Sequence, residues 1–205
     1  MSYLIDTSIP DLHRNWDISQ MMGADNLEEV KQNVVEYINN PNIIKNGNNL
    51  YLYSIQNGTG KTRVANYIVS KLNEPRRGED GSVVILPFAI VSFGEYMKFC
   101  AVNEKAREIV MTRPILLLDD VSPTFGSLDT QAERRELLLL MKYRREHLLL
   151  TIITSNLTPE AFEKRYGTTA FSKVLENFSY IEVRGSDIRP AIYPDQFGEE
   201  GKDVS

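Results

Sequence analysis

Eight residues, IQNGTGKT (55–62), hold the chemistry most easily read in this sequence. They fit the phosphate-binding pattern G-x-x-x-x-G-K-[ST] at every position but the first, where Ile55 stands in place of glycine. The exchange touches only the turn that leads into the loop. Gly58 and Gly60 let the backbone wrap an anion with its N–H groups, and a helix opening at Lys61 points its positive end at the phosphate. Lys61 can reach the β- and γ-phosphates and the Thr62 hydroxyl can hold Mg2+. Asn57, Gly58, Thr59, Gly60, Lys61 and Thr62 are therefore the candidate nucleotide-binding residues, with a nucleoside triphosphate and Mg2+ as the expected ligands. The alternative is a glycine-rich surface turn, which the strand–loop–helix context disfavours.

A second cluster closes the run ILLLDDV (115–121). Its apolar residues suit a buried strand, which puts Asp119 and Asp120 at the carboxyl end, where open α/β sheets bind ligands. Asp119 suits a metal-holding carboxylate, and Asp120 an acid that polarises an attacking water. Without a phosphate loop nearby, the pair could simply cap the following turn. A third run, TIITSN (151–156), ends in Ser155 and Asn156. Asn156 either faces the γ-phosphate or its water, or is a turn residue ahead of the Thr158 cap. In RGSDIR (184–189), Arg189 is a cation that could touch a γ-phosphate, or a solvated surface residue.

The elements that would position these groups follow from periodicity and caps. Leu27, Val30, Val34, Val35 and Ile38 recur at helical spacing over 26–39, capped by Asp25 or Asn26. Asn-Gly pairs at 46–47 and 57–58 bracket the strand NLYLYSI, a helix is expected over 61–72, and EPRRGEDGS (74–82) reads as an exposed loop. Further strands are expected at 83–85, 115–118, 149–154 and 180–183. Helices are expected to open at SFGEYMKFC, to span 130–147, and to start at Thr158-Pro159-Glu160. Strands that are continuously apolar and alternate with helices imply a parallel sheet covered on both faces.

Composition narrows the class. The 205 residues suit one domain, and 42% hydrophobic with 25% charged residues is globular. A net charge of −5 announces no nucleic-acid partner, though it is silent on local patches. A single cysteine, Cys100, excludes an intramolecular disulfide, and with two histidines (His13, His147) it argues against structural zinc. No signal-peptide pattern or membrane-length apolar run is present, so a cytoplasmic setting is expected.

NGTGKT, ILLLDDV, TIITSN and IEVRGSDIR occur in one order and at one spacing. With LLMKYRREHLLLTIITSNLTPEAFEKRYG between them, the chain closely resembles the AAA+ ATPase domain of the DnaC/DnaI-type helicase loaders and their IstB relatives, over about 26–189. The resemblance implies an α/β P-loop NTPase fold of AAA+ type, three-layer α/β/α with a five-stranded parallel sheet. The 16 residues after Arg189 (205 − 189) leave no room for a large helical lid. It implies ATP and Mg2+ as ligands, held by Thr62 and Asp119. Lys61, Asp119, Asp120, Asn156 and Arg189 would be the catalytic set, with Asn156 as sensor 1 and Arg189 as sensor 2. The implied activity is ATP-controlled placement of a hexameric replicative helicase on single-stranded DNA, with a homo-oligomer in the ATP state. By the same resemblance, Phe93, Tyr96, Lys98 and Phe99 are DNA contacts; read as residues alone, they equally form an amphipathic helix burying Tyr96, Phe99 and Cys100.

The chain departs from the family in two respects. About 25 residues precede the matching region, where loaders usually carry a helicase-gripping domain, so the expected division is 1–25 as a partner-binding extension, 26–197 as the ATPase domain and 198–205 as an acidic tail. In addition, Asn177 in KVLEN (173–177) stands where the family has its arginine finger. Lys173 or Arg165 is the available substitute cation, and slow intrinsic hydrolysis is expected. Arg134, Arg135, Lys142, Arg144 and Arg145, with Arg76 and Arg77, either form a DNA-facing stripe or a solvated surface. A nucleoside kinase, a non-catalytic module that recruits or inhibits a helicase or loader, and an IstB-like transposition helper remain alternatives. The compact architecture leans towards a phage or other mobile element.

Overall fold

The computed structural model describes residues 7–77, 80–100, 103–122, 130–167 and 175–189, with backbone alone for 99, 100 and 130. The chain runs through α1 (Asp11–Arg14), a 3-10 turn (Ile18–Gln20), α2 (Leu27–Asn39) and α3 (Asn42–Lys45) into β1 (Asn49–Tyr53) and α4 (Lys61–Leu72). A small hairpin of β2 (Arg76–Arg77) and β3 (Val83–Val84) comes next. It is followed by β4 (Phe88–Ser92), α5 (Phe93–Glu95), a π-helical turn (Tyr96–Cys100) and α6 (Glu104–Thr112). Then come β5 (Ile115–Asp119), α7 (Thr130–Glu146), β6 (Leu150–Ser155), α8 (Pro159–Tyr166) and β7 (Phe178–Glu182).

Five strands form one parallel sheet in the order β4-β5-β6-β1-β7. Its pleat sends alternate side chains to opposite layers. Leu50 and Leu52 of β1, with Ile115 and Leu117 of β5, join Val30, Val34, Ile68 and Leu72 from α2 and α4. Tyr51, Leu116 and Leu118 face the other way, into Val110, Leu137, Leu140 and Phe162 from α6, α7 and α8. Both faces of β1, β4, β5 and β6 are covered, which explains why these strands are largely apolar without alternation, whereas the edge strand β7 (FSYIE) is only half-buried. This is the expected three-layer α/β/α arrangement with a five-stranded parallel sheet. Among the described residues no helical lid follows β7, and no helix is long and apolar enough to cross a membrane.

The strand expected at 83–85 is displaced. Val83 and Val84 pair with Arg77 and Arg76 in the hairpin, outside the main sheet, and Val83, Val84 and Ile85 are exposed. The sheet strand is FAIVS, just beyond Pro87, in register with β5 from Phe88↔Ile115 to Ser92↔Asp119. SVVILPFAIVS is one β-forming run broken by a proline, and only its second half has helices on both sides to bury it. The expected loop over 74–82 correspondingly contains β2.

The described residues preceding α2, from Thr7, pack onto this body. Ile18 and Met21 are buried among α2 and α4, Trp16 stands edge-on to Tyr67 at 5.8 Å, and an Asp17–Gln20 capping box closes the 3-10 turn. Asn26 precedes α2 but caps nothing; its amide donates to the Glu182 carbonyl and its carbonyl accepts from Arg184 N–H.

Arg144 drops out of the candidate basic stripe. It is fully buried in α7, not solvent-facing. Among the described residues its partners are the carbonyls of Val110, Met111, Arg113 and Leu150 and the Thr151 hydroxyl, at 2.6–3.2 Å. The guanidinium satisfies carbonyls at the C-terminal end of α6 and the start of β6. Burial pulls its pKa down to about 9, leaving a cation at neutral pH. Arg134 also turns inward, donating to the Arg165 carbonyl, whereas Arg135, Lys142 and Arg145 are exposed.

Candidate functional site

The order β6-β1-β7 places the first strand between two later ones, so the loop after β1 opens at the switch in chain direction where α/β sheets bind ligands. Ser54 ends the strand buried, Ile55 is 70% exposed, and the chain then winds through 57–60 into α4. Gly58 and Gly60 take φ values of 71° and 93°, left-handed conformations that disfavour a side chain. The glycine absent at 55 is not needed, because the exposed Ile55 presses on nothing in the core.

Lys61 is 9% exposed and its ammonium donates to the Gln56 carbonyl at 3.2 Å, spanning the loop. Burial lowers its pKa, while Asp120 and Asp119 push the other way. The Thr62 hydroxyl donates to Asp119, 3.0 Å from Oδ1 and 3.2 Å from Oδ2. A hydroxyl and a carboxylate converging in this way are hard oxygen donors of the kind Mg2+ takes alongside phosphate oxygens, so the residues present fit that ion. Burial raises the Asp119 carboxyl, and the hydrogen bonds from Thr154 and Thr62 oppose the shift.

Sequence reading missed Thr154. Its hydroxyl donates to Asp119 Oδ1 at 2.6 Å and accepts the Asp120 N–H at 2.8 Å. Its carbonyl takes the Val121 N–H at 2.8 Å, and the Ser155 hydroxyl donates to the Val121 carbonyl at 2.6 Å. The ends of β5 and β6 are thereby stitched together, holding Asp120 at φ 52°, an uncommon conformation for a residue with a side chain. A threonine two places before Asn156 in TIITSN was the available signal; only the cross-strand register gives it a role.

Asn156 donates to Asp120 Oδ1 at 3.4 Å, a long bond, and its own Oδ1 is buried with no partner among the described residues. An unsatisfied buried acceptor costs about 1–3 kcal/mol, and here it lines the same pocket as the phosphate loop. That pocket, of about 400 Å3, gathers Asn57–Thr62, Asp119, Asp120, Asn156 and Arg189, and adds Leu12, His13 and Ile188 as a wall. Burial and the neighbouring Arg63 lower the His13 pKa, which favours a neutral ring.

No protein-family model matches the sequence, and no curated protein matches it either. Solved structures do. The DnaC helicase loader superposes with a TM-score of 0.66 at 18% identity, covering 85% of this chain and 100% of that one. DnaI gives 0.64 at 18%, covering 87% and 93%. The fold is the one seen in the DnaC helicase loader and in DnaI. A putative primosome component from Streptococcus pyogenes serotype M3 is similar as well (TM-score 0.62, 21% identity, 88% and 92% covered). AMPPCP-bound DnaA from Aquifex aeolicus is similar at 0.61 and 18%, with 95% of this chain on 60% of that one.

Within this fold the expected DNA contacts divide. Phe93 and Tyr96 are core residues, 0% and 2% exposed, with Phe93 edge-on to Tyr166 at 6.2 Å, so neither can stack on a base. Aromatic spacing on a short helix looks the same from either side; burial decides it. Lys98 is exposed on the π-helical turn, and the Phe99 side chain lies outside the described residues. Asn177 occupies the exposed turn before β7, its carbonyl accepting from Asn49 N–H. Arg165 is engaged within its own chain, 3.0 Å from the nearly buried Glu133 carboxylate and stacked over Tyr166. Lys173 and the tail at 198–205 fall outside the described residues.

Proposed function

We propose that this chain is an ATP-binding helicase loader that assists placement of a hexameric replicative helicase on single-stranded DNA. One observation carries the reading: Lys61, Asp119, Asn156 and Arg189, from four separate stretches of sequence, line one pocket in a loader fold. In it the backbone N–H groups of 57–60 cradle the phosphates and Lys61 neutralises the β- and γ-oxygens. Thr62 and Asp119 would hold Mg2+, which supplies further neutralisation of the developing charge. Asp120 and Asn156 orient the attacking water, and Arg189 reads the γ-phosphate. Leu12, His13 and Ile188 offer the base a wall. The AMPPCP bound by the similarly folded DnaA agrees with this use of the pocket.

The site differs from a self-sufficient hydrolase at one point. Asn177 cannot supply the cation that a neighbouring subunit would insert, and Arg165 is already paired to Glu133. An arginine finger contributes about 10³–10⁵ in rate. The isolated protein should therefore turn ATP over slowly, and the cognate hexameric helicase should form a complex with it in ATP. Steady-state phosphate release and size measurement, with and without helicase, check this. Fast turnover by the isolated chain contradicts the expected slow site, and a helicase complex indifferent to nucleotide contradicts the ATP-controlled loader. The same Asn177 favours a second reading, a nucleotide-binding module that recruits or blocks a helicase without hydrolysis; ATP-dependent complex formation with no turnover at all would select it.

A further inference from the structure

RGSDIR does more than bring Arg189 to the pocket. The Ile188 N–H donates to the Gly58 carbonyl at 3.0 Å, and the Asp187 carboxylate rests directly on Gly58, where an added Cβ would lie 1.9 Å from Oδ1. Upstream, Gly185 bridges to Ala24 and the Asp25 N–H donates to the Arg184 carbonyl at 2.7 Å. Anchored on both sides, Asp187 keeps its place beside the phosphate loop if Arg189 turns away.

That carboxylate grips the arginine. Arg189 Nε lies 2.9 Å from both Asp187 oxygens, Nη2 bonds Oδ2, and the Arg189 N–H donates to Oδ1 at 2.9 Å. The Nε–Nη2 edge is one that forks onto a carboxylate or a phosphate. Both ions are substantially exposed, 45% and 37%, so the pair is weak enough to exchange for a phosphate bearing more charge.

We propose that Asp187 is a specificity-determining residue of the nucleotide site, competing with the γ-phosphate for Arg189 and so setting the preference for ATP over ADP. ADP presents no γ-phosphate and leaves the ion pair intact. ATP must displace the carboxylate to gain the arginine, and Asp187 therefore subtracts from ATP affinity alone. General repulsion between Asp187 and the phosphates also weighs more on ATP, which carries more charge, but it persists without Arg189, so the change in affinity ratio that is lost in the Arg189→Ala background is the informative quantity. This inference rests on the nucleotide-binding reading above.

The test is calorimetric titration of wild type, Asp187→Asn, Arg189→Ala and the double variant with ATP and with ADP, each with Mg2+. Asparagine keeps an acceptor for the Arg189 N–H while removing the charge. Asp187→Asn should raise the ATP/ADP affinity ratio about two- to fivefold, and in the Arg189→Ala background the rise should largely disappear. A ratio that falls or stays level in the single variant overturns the proposal, as does an equal rise without Arg189. Should Asp187→Asn fail to fold by circular dichroism, Asp187→Ser carries the same expectation. Wild type binding neither nucleotide would refute the nucleotide-site reading and this inference with it, whereas normal binding with an unmoved ratio refutes this inference alone.

Discussion

Lys61→Ala is expected to lower affinity for ATP–Mg2+ by about a hundredfold or more, with the melting temperature moving by only about 3 °C. The two halves of that expectation have one cause. The ammonium is nearly buried at the mouth of α4, its hydrogen bond runs to a carbonyl of its own loop, and burial already disfavours its charge. Deleting it relieves a desolvated cation and leaves one loop carbonyl unpaired, a near balance for folding. For a triphosphate the balance disappears, because no other lysine stands in the loop, the carboxylates of Asp119, Asp120 and Asp187 lie close by, and the nearest guanidiniums, Arg63 and Arg189, stand outside it. Titration calorimetry alongside thermal denaturation measures both halves. An unchanged affinity would mean that phosphates do not bind at 57–62.

Arg144→Met should be the most damaging single change to stability, by about 3–5 kcal/mol, with the melting temperature falling on the order of 10 °C. Methionine fills much of the space but returns no donors. Four carbonyls and the Thr151 hydroxyl lose a charged partner at the junction of α6, α7 and β6, and each buried group left unpaired costs about 1–3 kcal/mol before relaxation. Arg144→Lys should fall in between, since one ammonium carries three donors and lacks the planar fork. Arg145→Met, on the exposed side of the same helix, should stay within about 0.5 kcal/mol. Denaturant titration of the three variants checks the order; equal effects of Arg144→Met and Arg145→Met would contradict the buried-staple assignment.

Arg144 also shows where sequence reasoning runs out. In LLMKYRREH an arginine flanked by Arg145 and Glu146 has the composition of a solvated face, and nothing local announces the carbonyls that draw it inward. Phe93 and Tyr96 fail in the opposite sense, being aromatic enough for bases but needed by the core. The sheet, by contrast, was legible because its inner strands are mostly apolar runs bounded by turn signals; the one beside Pro87 was misplaced, and the edge strand β7 (FSYIE) is only half-buried. The phosphate loop was legible because it is contiguous. Thr154, Asp187 and Ile188 act across 30 or more residues of chain, through register and loop packing, so no spacing rule pointed to them. The same is true of Leu12 and His13, which reach the pocket only because Trp16, Ile18 and Met21 dock the segment on α4 and its neighbours.

The central claim is that nucleotide in this pocket controls a grip on helicase and DNA, and the most direct measurement is the amount of cognate hexameric helicase deposited on circular single-stranded DNA. It would be compared for the wild-type protein and Lys61→Ala, each in ATP, in ADP and without nucleotide. The account predicts deposition in ATP that drops at least about tenfold in ADP and in Lys61→Ala under every condition. Equal deposition by wild type in ATP and ADP, or by Lys61→Ala and wild type in ATP, would contradict it.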